Sequence, residues 1–193
     1  MKTHPLLATA LLATLAGCAD EPARYVDSRG TQTIVSIDKV DVQDFAAAAD
    51  ALLQSLYDSP AFANAQRKPP RIAFSEITND TSTQFDVDQL LQKIRASVTR
   101  SGKAVISVTH GTRTDHLTRE IKAANDAANG AHRTDLPDYV LMGKVLETKT
   151  RAGRTRQATY SFQLTLAQAG TGDIVWAEEK EITKQGSKAA VGW

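Results

Sequence analysis

The chain has 193 residues, of which 41% are hydrophobic and 23% are charged, and its 23 Lys+Arg are almost balanced by 22 Asp+Glu. This near-neutral balance lacks the basic excess that nucleic-acid binding requires, so nucleic acid is excluded as a partner. The length is enough for one domain with a hydrophobic core.

The N-terminal residues 1–17 have the pattern of a lipoprotein signal peptide. Lys2 precedes an apolar run from Leu6 to Leu15, which is typical of a secretory signal and too short to cross a bilayer as a helix. The following Ala16 and Gly17 are small and stand directly before Cys18, so the segment resembles a bacterial lipobox. The alternative is an ordinary signal peptide followed by an unimportant cysteine.

Cys18 is the only cysteine, and the lipobox resemblance implies that it becomes the acylated N-terminus of the mature protein. Several acyl chains, palmitate among them, would hold the protein stably on a membrane. Acylation would also leave no thiol for a disulfide, a metal site or a nucleophile. Because Ala19 rather than Asp follows the cysteine, the resemblance implies an outer-membrane lipoprotein that faces the periplasm.

Residues 18–39 are interpreted as the lipidated cysteine and a short tether, and residues 40–193 as one globular domain. The stretch from Ala19 to Gly30 is mostly small, polar or charged, and about 12 residues reach roughly 40 Å when fully extended. Residues 33–37 favour β structure and are an alternative first edge strand.

Helices are predicted to come first in the domain. Apolar residues at helical spacing predict a helix over Val42–Tyr57 with Asp41 as its cap, and Ser59-Pro60 predicts a short helix to about Gln66. A strand is predicted over Arg71–Ile77. The next helix is predicted to follow Asp86 as its N-cap, with a capping box completed by Gln89, and to end at Ser101-Gly102.

The rest of the chain is predicted to be mostly strand. A short strand over Lys103–Val108 and a helix over Asp115–Asn129 precede three segments of alternating apolar residues: Asp138–Leu146, Tyr160–Leu166 and Ile174–Lys184. Helices followed by hairpins indicate the α+β class, with a mainly antiparallel sheet flanked by helices.

No catalytic motif with specific spacing is present, and no cofactor or metal is expected. The carboxylates of Glu76, Asp80, Asp86 and Asp88 lie near one predicted strand end and could in principle serve a wall hydrolase, which is the least favoured function.

Two features indicate partner binding. The predicted hairpin carries the densest group of like charges in the chain, which comprises Lys149, Arg151, Arg154 and Arg156. It is either a solvated loop tip or a docking surface for an acidic partner. Trp193 is a bulky aromatic side chain at a polar terminus, which either folds back onto the domain or is offered to a partner.

Several segments in order resemble the LpoB family of outer-membrane lipoproteins that activate a class A penicillin-binding protein. They are Lys68–Ala73, Ile77–Thr81, Ile94-Arg95 through Ser101–Lys103, Asp138–Gly143, Tyr160–Leu166, Thr171–Trp176, Ile182–Lys184 and Gly192-Trp193. The resemblance covers essentially all of Val40–Trp193.

The resemblance implies a fold like the N-terminal domain of TolB and a monomeric, non-enzymatic regulator of cell wall synthesis and cell shape. Family members dock on the bifunctional peptidoglycan synthase and stimulate it. They carry a long Pro-rich linker, whereas this chain has a short one. The alternative is an envelope assembly or secretion lipoprotein with a TolB-like domain.

Overall fold

Five strands form one mixed sheet in the computed structural model, which describes residues 23–107 and 137–187 apart from the side chain of Glu76. The strands are β1 (Arg71–Asp80), β2 (Val105–Ser107), β3 (Tyr139–Ala152), β4 (Thr155–Gln168) and β5 (Ile174–Ser187), in the order β2-β1-β3-β4-β5. β1 runs parallel to both β2 and β3, whereas β3, β4 and β5 form an antiparallel meander. Most of the paired length is antiparallel, so the predicted α+β class is confirmed.

The described helices are α1 (Val42–Asp58), α2 (Pro60–Ala63) and α3 (Asp88–Ser101). α1 begins where the sequence predicted, and the Asp44 carboxylate accepts a hydrogen bond of 2.7 Å from the backbone N–H of Asp41. A carboxylate in the first turn satisfies an otherwise unpaired donor and complements the helix dipole.

α3 begins one residue later than predicted, because its N-cap position is Val87 and not Asp86. Val87 has helical backbone angles at the N-cap position, and the Asp86 carboxylate accepts a hydrogen bond of 2.8 Å from the backbone N–H of Asp88. The helix ends as predicted at Gly102, whose φ of 64° is the left-handed conformation that glycine adopts without strain.

α1 and α3 pack on one face of the sheet and enclose a single hydrophobic core. Phe45 of α1 contacts Phe85 and Phe162 edge to face, with ring centroids 5.3 and 6.0 Å apart. Tyr160, Phe162 and Trp176 are all buried in this core. The core residues of β3 and β4 alternate along the chain, as expected for strands with one covered face.

Three predictions about local structure need correction. Residues 33–37 form no strand, because backbone carbonyls at Ser36 and Ile37 accept hydrogen bonds from the side chains of Lys184 and Tyr160 instead of joining the sheet. α2 ends at Ala63 rather than near Gln66, and β2 begins at Val105 rather than at Lys103. The helix predicted over Asp115–Asn129 lies outside the described residues.

Candidate docking surface

The long β3–β4 hairpin positions the predicted basic cluster. The two strands pair without a register break from Tyr139↔Gln168 to Ala152↔Thr155, which leaves Gly153 and Arg154 as a two-residue turn. Gly153 has φ 59°, the conformation required at the first position of the short turns that match the twist of a hairpin. The cluster therefore lies on a continuous two-stranded ribbon.

The four cations of the cluster differ in their contacts. Lys149 Nζ lies 2.9 Å from Glu147 Oε1 and donates a hydrogen bond of 2.5 Å to Ser82 Oγ. Arg156 lies 3.9 Å from the carboxylate of Asp38. Lys149 and Arg156 are thus paired within the chain. Arg151 and Arg154 stand at the exposed tip, where Arg151 Nε donates only to the carbonyl of Gly153, at 3.0 Å.

A groove of about 330 Å³ lies beside the hairpin. It is lined by the cationic side chains of Lys149, Arg151 and Arg156 and, on the other side, by Ile37 and Asp38. Three cations face one carboxylate there, so the groove fits an anionic group on a partner better than a cationic one.

Glu147 explains why Lys149 is held in place. Its side chain is only 4% exposed and accepts hydrogen bonds from the backbone N–H and the hydroxyl of Ser82, at 2.8 and 2.5 Å. Burial alone would raise the pKa of Glu147, but the hydrogen bonds from Ser82 and Lys149 lower it to about 2. Burial and the neighbouring Glu147 in turn raise the pKa of Tyr160. Glu147 therefore stays ionised and fixes the loop at Ser82 to the hairpin.

A second candidate surface is the face of the sheet opposite α1 and α3. Met142, Thr165 and Ala177 form a row across β3, β4 and β5, and Met142 is 38% exposed. The neighbouring row is Lys144, Gln163 and Glu179. A groove of about 400 Å³ crosses this face between β4 and β5. The surface thus combines a small apolar strip with charges of both signs, as is common where proteins meet.

Two carboxylates of the predicted cluster, those of Asp80 and Asp86, make structural contacts within the domain. Asp80 pairs with Lys144 Nζ at 2.8 Å, and Asp86 accepts from the backbone at the start of α3. Within residues 23–107 and 137–187, no group of three or more His, Cys, Asp or Glu is placed to hold a metal ion.

Cys18 and Trp193 lie outside the described residues. The described helices include none with the length and apolar character needed to cross a membrane.

Sequence reasoning missed the buried ionic cluster around Lys184. Lys184 is 5% exposed, and its Nζ lies 2.8 Å from Asp41 Oδ2 and is also paired with Asp44. The same ammonium donates to the carbonyls of Ser36 and Lys39, at 3.0 and 2.8 Å. The sequence did contain a signal that Lys184 faces inward, because it lies an even number of residues from Trp176 and Ile182 and is therefore on the same face of the strand. The partners could not be read from that alternation.

Comparison with known protein families matched residues 44–182 to the family described as peptidoglycan-synthase activator LpoB. No match was found among curated proteins. Among solved structures, the LpoB C-terminal domain from Salmonella enterica is 15% identical, with 72% of this chain and 98% of that chain covered and a TM-score of 0.46. The corresponding Escherichia coli domain is also 15% identical, with the same coverage and a TM-score of 0.45. Lipoprotein GNA1162 from Neisseria meningitidis is 16% identical, with 64% and 88% covered and a TM-score of 0.43.

Proposed function

The chain belongs to the LpoB family of peptidoglycan-synthase activators, and from this membership we propose that it activates a class A penicillin-binding protein by direct docking. The family match over residues 44–182 carries the proposal, because it spans nearly all of α1, all of α2 and α3, and nearly all of the sheet. Members of this family are regulators, which confirms the expectation that the protein is not an enzyme and removes the wall hydrolase from consideration.

Activation by docking has a simple thermodynamic requirement. The activator must bind the active conformation of the synthase more tightly than the resting one, since only a difference in affinity shifts a population. Rigid presentation of the docking groups favours such discrimination, because less conformational entropy is lost on binding. The internal pairs of Lys149 and Arg156 hold the hairpin in this way and leave Arg151 and Arg154 for a partner.

The proposed docking surface is the hairpin cluster of Lys149, Arg151, Arg154 and Arg156 together with the open face of the sheet, and Trp193 is proposed as a further contact. An acidic patch on the synthase would complement the hairpin. The protein acts as a monomer in this proposal.

The proposed location is the periplasmic side of the outer membrane, with Cys18 as the lipid anchor. The lipobox pattern in front of Ala19 supports this location. A class A synthase must then approach the outer membrane closely, because the chain between Cys18 and the domain is short.

The direct test uses residues 19–193 without lipid, purified and mixed with the class A synthases of the same organism. We expect glycan polymerisation and peptide crosslinking to rise with activator concentration and to saturate. Absence of both binding and stimulation with every synthase would contradict the proposal.

The docking surface is tested with the double variant Arg151→Glu/Arg154→Glu. Reversing two charges at the tip places like charges against an acidic partner, so we expect the half-saturating concentration to rise by about tenfold or more. Lys93→Glu/Lys180→Glu is the matched control, because it changes the net charge equally and lies away from the hairpin. An equal effect of both double variants would show that net charge, and not the hairpin, determines binding.

A further inference from the structure

Exposed apolar side chains are concentrated in one short part of the described chain. Of the nine large hydrophobic residues that are exposed, five lie between residues 25 and 42. They are Tyr25, Val26, Ile34, Val35 and Val42, and Tyr25 and Ile34 are the most exposed, at 107% and 90%. Isolated exposed apolar residues are ordinary, but a local concentration of this kind marks a binding surface.

Residues 23–35, here called the arm, lie against α1 and do not trail away from it. Arg29 of the arm is 3.5 Å from Asp50 in the middle of α1. Gln43 Nε2 donates a hydrogen bond of 3.3 Å to the carbonyl of Ile34. The next residues, from Ser36 to Asp41, are joined to Lys184. The arm is therefore placed on the domain at its middle and at its C-terminal end.

The arm and the start of α1 together form an open groove of about 640 Å³. Val26, Ile34 and Val42 line it, which brings apolar residues from three parts of the segment to one surface. The groove is also lined by Arg24 and by Asp41, whose carboxylate is paired with Lys184, while Arg29 of the arm is paired with Asp50. A surface with several exposed apolar side chains and an exposed tyrosine has the chemistry of proteins that rest in a membrane interface.

The position of the proposed anchor identifies the occupant of this surface. Only Ala19–Pro22 stand between Cys18 and the first residue of the arm, and five residue steps reach at most about 18 Å. We propose that the arm rests on the lipid bilayer in which Cys18 is anchored, with Tyr25, Val26 and Ile34 at the level of the headgroups. This inference depends on the lipidation of Cys18 that is part of the proposed function.

Tethering makes even a weak surface effective. An arm held within about 18 Å of the bilayer meets it at a high effective concentration, so the few apolar side chains need little intrinsic affinity to remain in contact. The contact would hold the domain in one orientation relative to the membrane and present its remaining surfaces to the periplasm.

The test uses the full lipidated protein and exploits its single cysteine. Because acylation consumes the Cys18 thiol, a cysteine introduced elsewhere is the only reactive thiol. Ile34→Cys is labelled with an environment-sensitive fluorophore, and the protein is reconstituted in vesicles of phosphatidylethanolamine and phosphatidylglycerol that carry a nitroxide on the lipid. Ala169→Cys is the matched control, because Ala169 is exposed in the turn that follows β4. This turn lies at the opposite end of β4 from Arg156, whose partner Asp38 closely follows the arm.

We expect the lipid nitroxide to quench the label at position 34 at least about twofold more than the label at position 169, since interfacial segments lie within the headgroup region. Val26→Ser in the Ile34→Cys protein should reduce this difference, while its urea unfolding curve stays unchanged. Equal quenching at the two positions would overturn the inference. The inference would also be overturned if the label at position 34 were shielded from aqueous iodide but not quenched by the lipid nitroxide. The surface would then be covered by protein and not by lipid.

The mass of the N-terminal peptide separates the two proposals. If Cys18 is acylated and position 34 is not quenched, the arm inference fails and the proposed anchor stands. If Cys18 is not acylated, the anchor and the arm inference both fail, while stimulation of the synthase by the soluble domain is measured independently.

Discussion

At the scale of single residues, Lys184 joins the segment before α1 to the sheet. Its three ammonium protons face two carboxylates and two backbone carbonyls, and its Nζ also lies 5.4 Å from the centre of the Tyr160 ring. A buried charge is tolerated only when its partners compensate for lost hydration. The cluster therefore fixes where the chain from the proposed anchor enters the domain.

Replacing Lys184 should be severely destabilising. Lys184→Met leaves the carboxylates of Asp41 and Asp44 buried without their cation, and we expect a loss of about 3–5 kcal/mol in the free energy of unfolding, measured by urea titration. Lys180→Met is the matched control, because Lys180 is exposed on the same strand and should change stability by less than about 0.5 kcal/mol. Adding Asp44→Asn to Lys184→Met should recover part of the loss, and no recovery would contradict the role of buried charge.

Glu147 makes stability depend on acid pH. Its pKa of about 2 in the folded protein lies below the ordinary value of 4.5, so the unfolded chain binds the proton more readily. The resulting stabilisation is present above about pH 4.5 and is lost as the pH falls towards 2.

The measurement is the free energy of unfolding between pH 6 and pH 2 for the natural protein and Glu147→Gln. We expect the variant to be less stable at pH 6 and to show a shallower decline towards acid. Glu181→Gln is the control, because Glu181 is exposed, and its decline should parallel that of the natural protein. Parallel declines for Glu147→Gln and the natural protein would show that Glu147 is not the group responsible.

At the scale of secondary-structure elements, Gly143 allows the central strands to approach closely. A Cβ at this position would lie 2.7 Å from Leu164 Cδ2, 3.0 Å from the carbonyl of Gln163 and 3.3 Å from Ile77 Cγ1. Gly143 also pairs with Ile77 directly after the register shift in β1. The absence of a side chain here permits β1, β3 and β4 to pack around one point.

Gly143→Ala should therefore destabilise the sheet. Overpacking of this kind costs about 1–3 kcal/mol, and thermal unfolding should show a corresponding decrease in Tm. Gly170→Ala is the control, because a Cβ at Gly170 meets no atom within 4 Å. A Tm for Gly143→Ala that equals that of the control would mean that the neighbouring strands adjust without cost.

At the scale of the whole molecule, the short connection to Cys18 sets the geometry of the proposed function. The sequence predicted a tether over residues 18–39, but the arm contacts α1 and residues 36–41 join the Lys184 cluster. The five residue steps from Cys18 to the first residue of the arm reach at most about 18 Å. A partner synthase would have to meet the domain near the membrane that carries it.

The sequence by itself determined the local structure. Helical spacing of apolar residues located α1 and α3, alternation located the β3–β4–β5 meander, and glycines marked the ends of α3 and the hairpin. The basic hairpin cluster was also visible, as were the lipobox and the order of family segments. These features depend on residues that are close in the chain, so a periodic pattern is enough to reveal them.

Only the tertiary structure decided which distant segments meet. The parallel pairing of β1 with β3, the union of Lys184 with Asp41 and Asp44, and the contact of Glu147 with Ser82 all join residues more than 60 positions apart. Alternation places a lysine or glutamate on the inward face of a strand, but its partner depends on how the elements pack together. The contacts of the arm with α1 and of residues 36–41 with Lys184 have the same physical reason, because other parts of the sequence specify that helix and that strand.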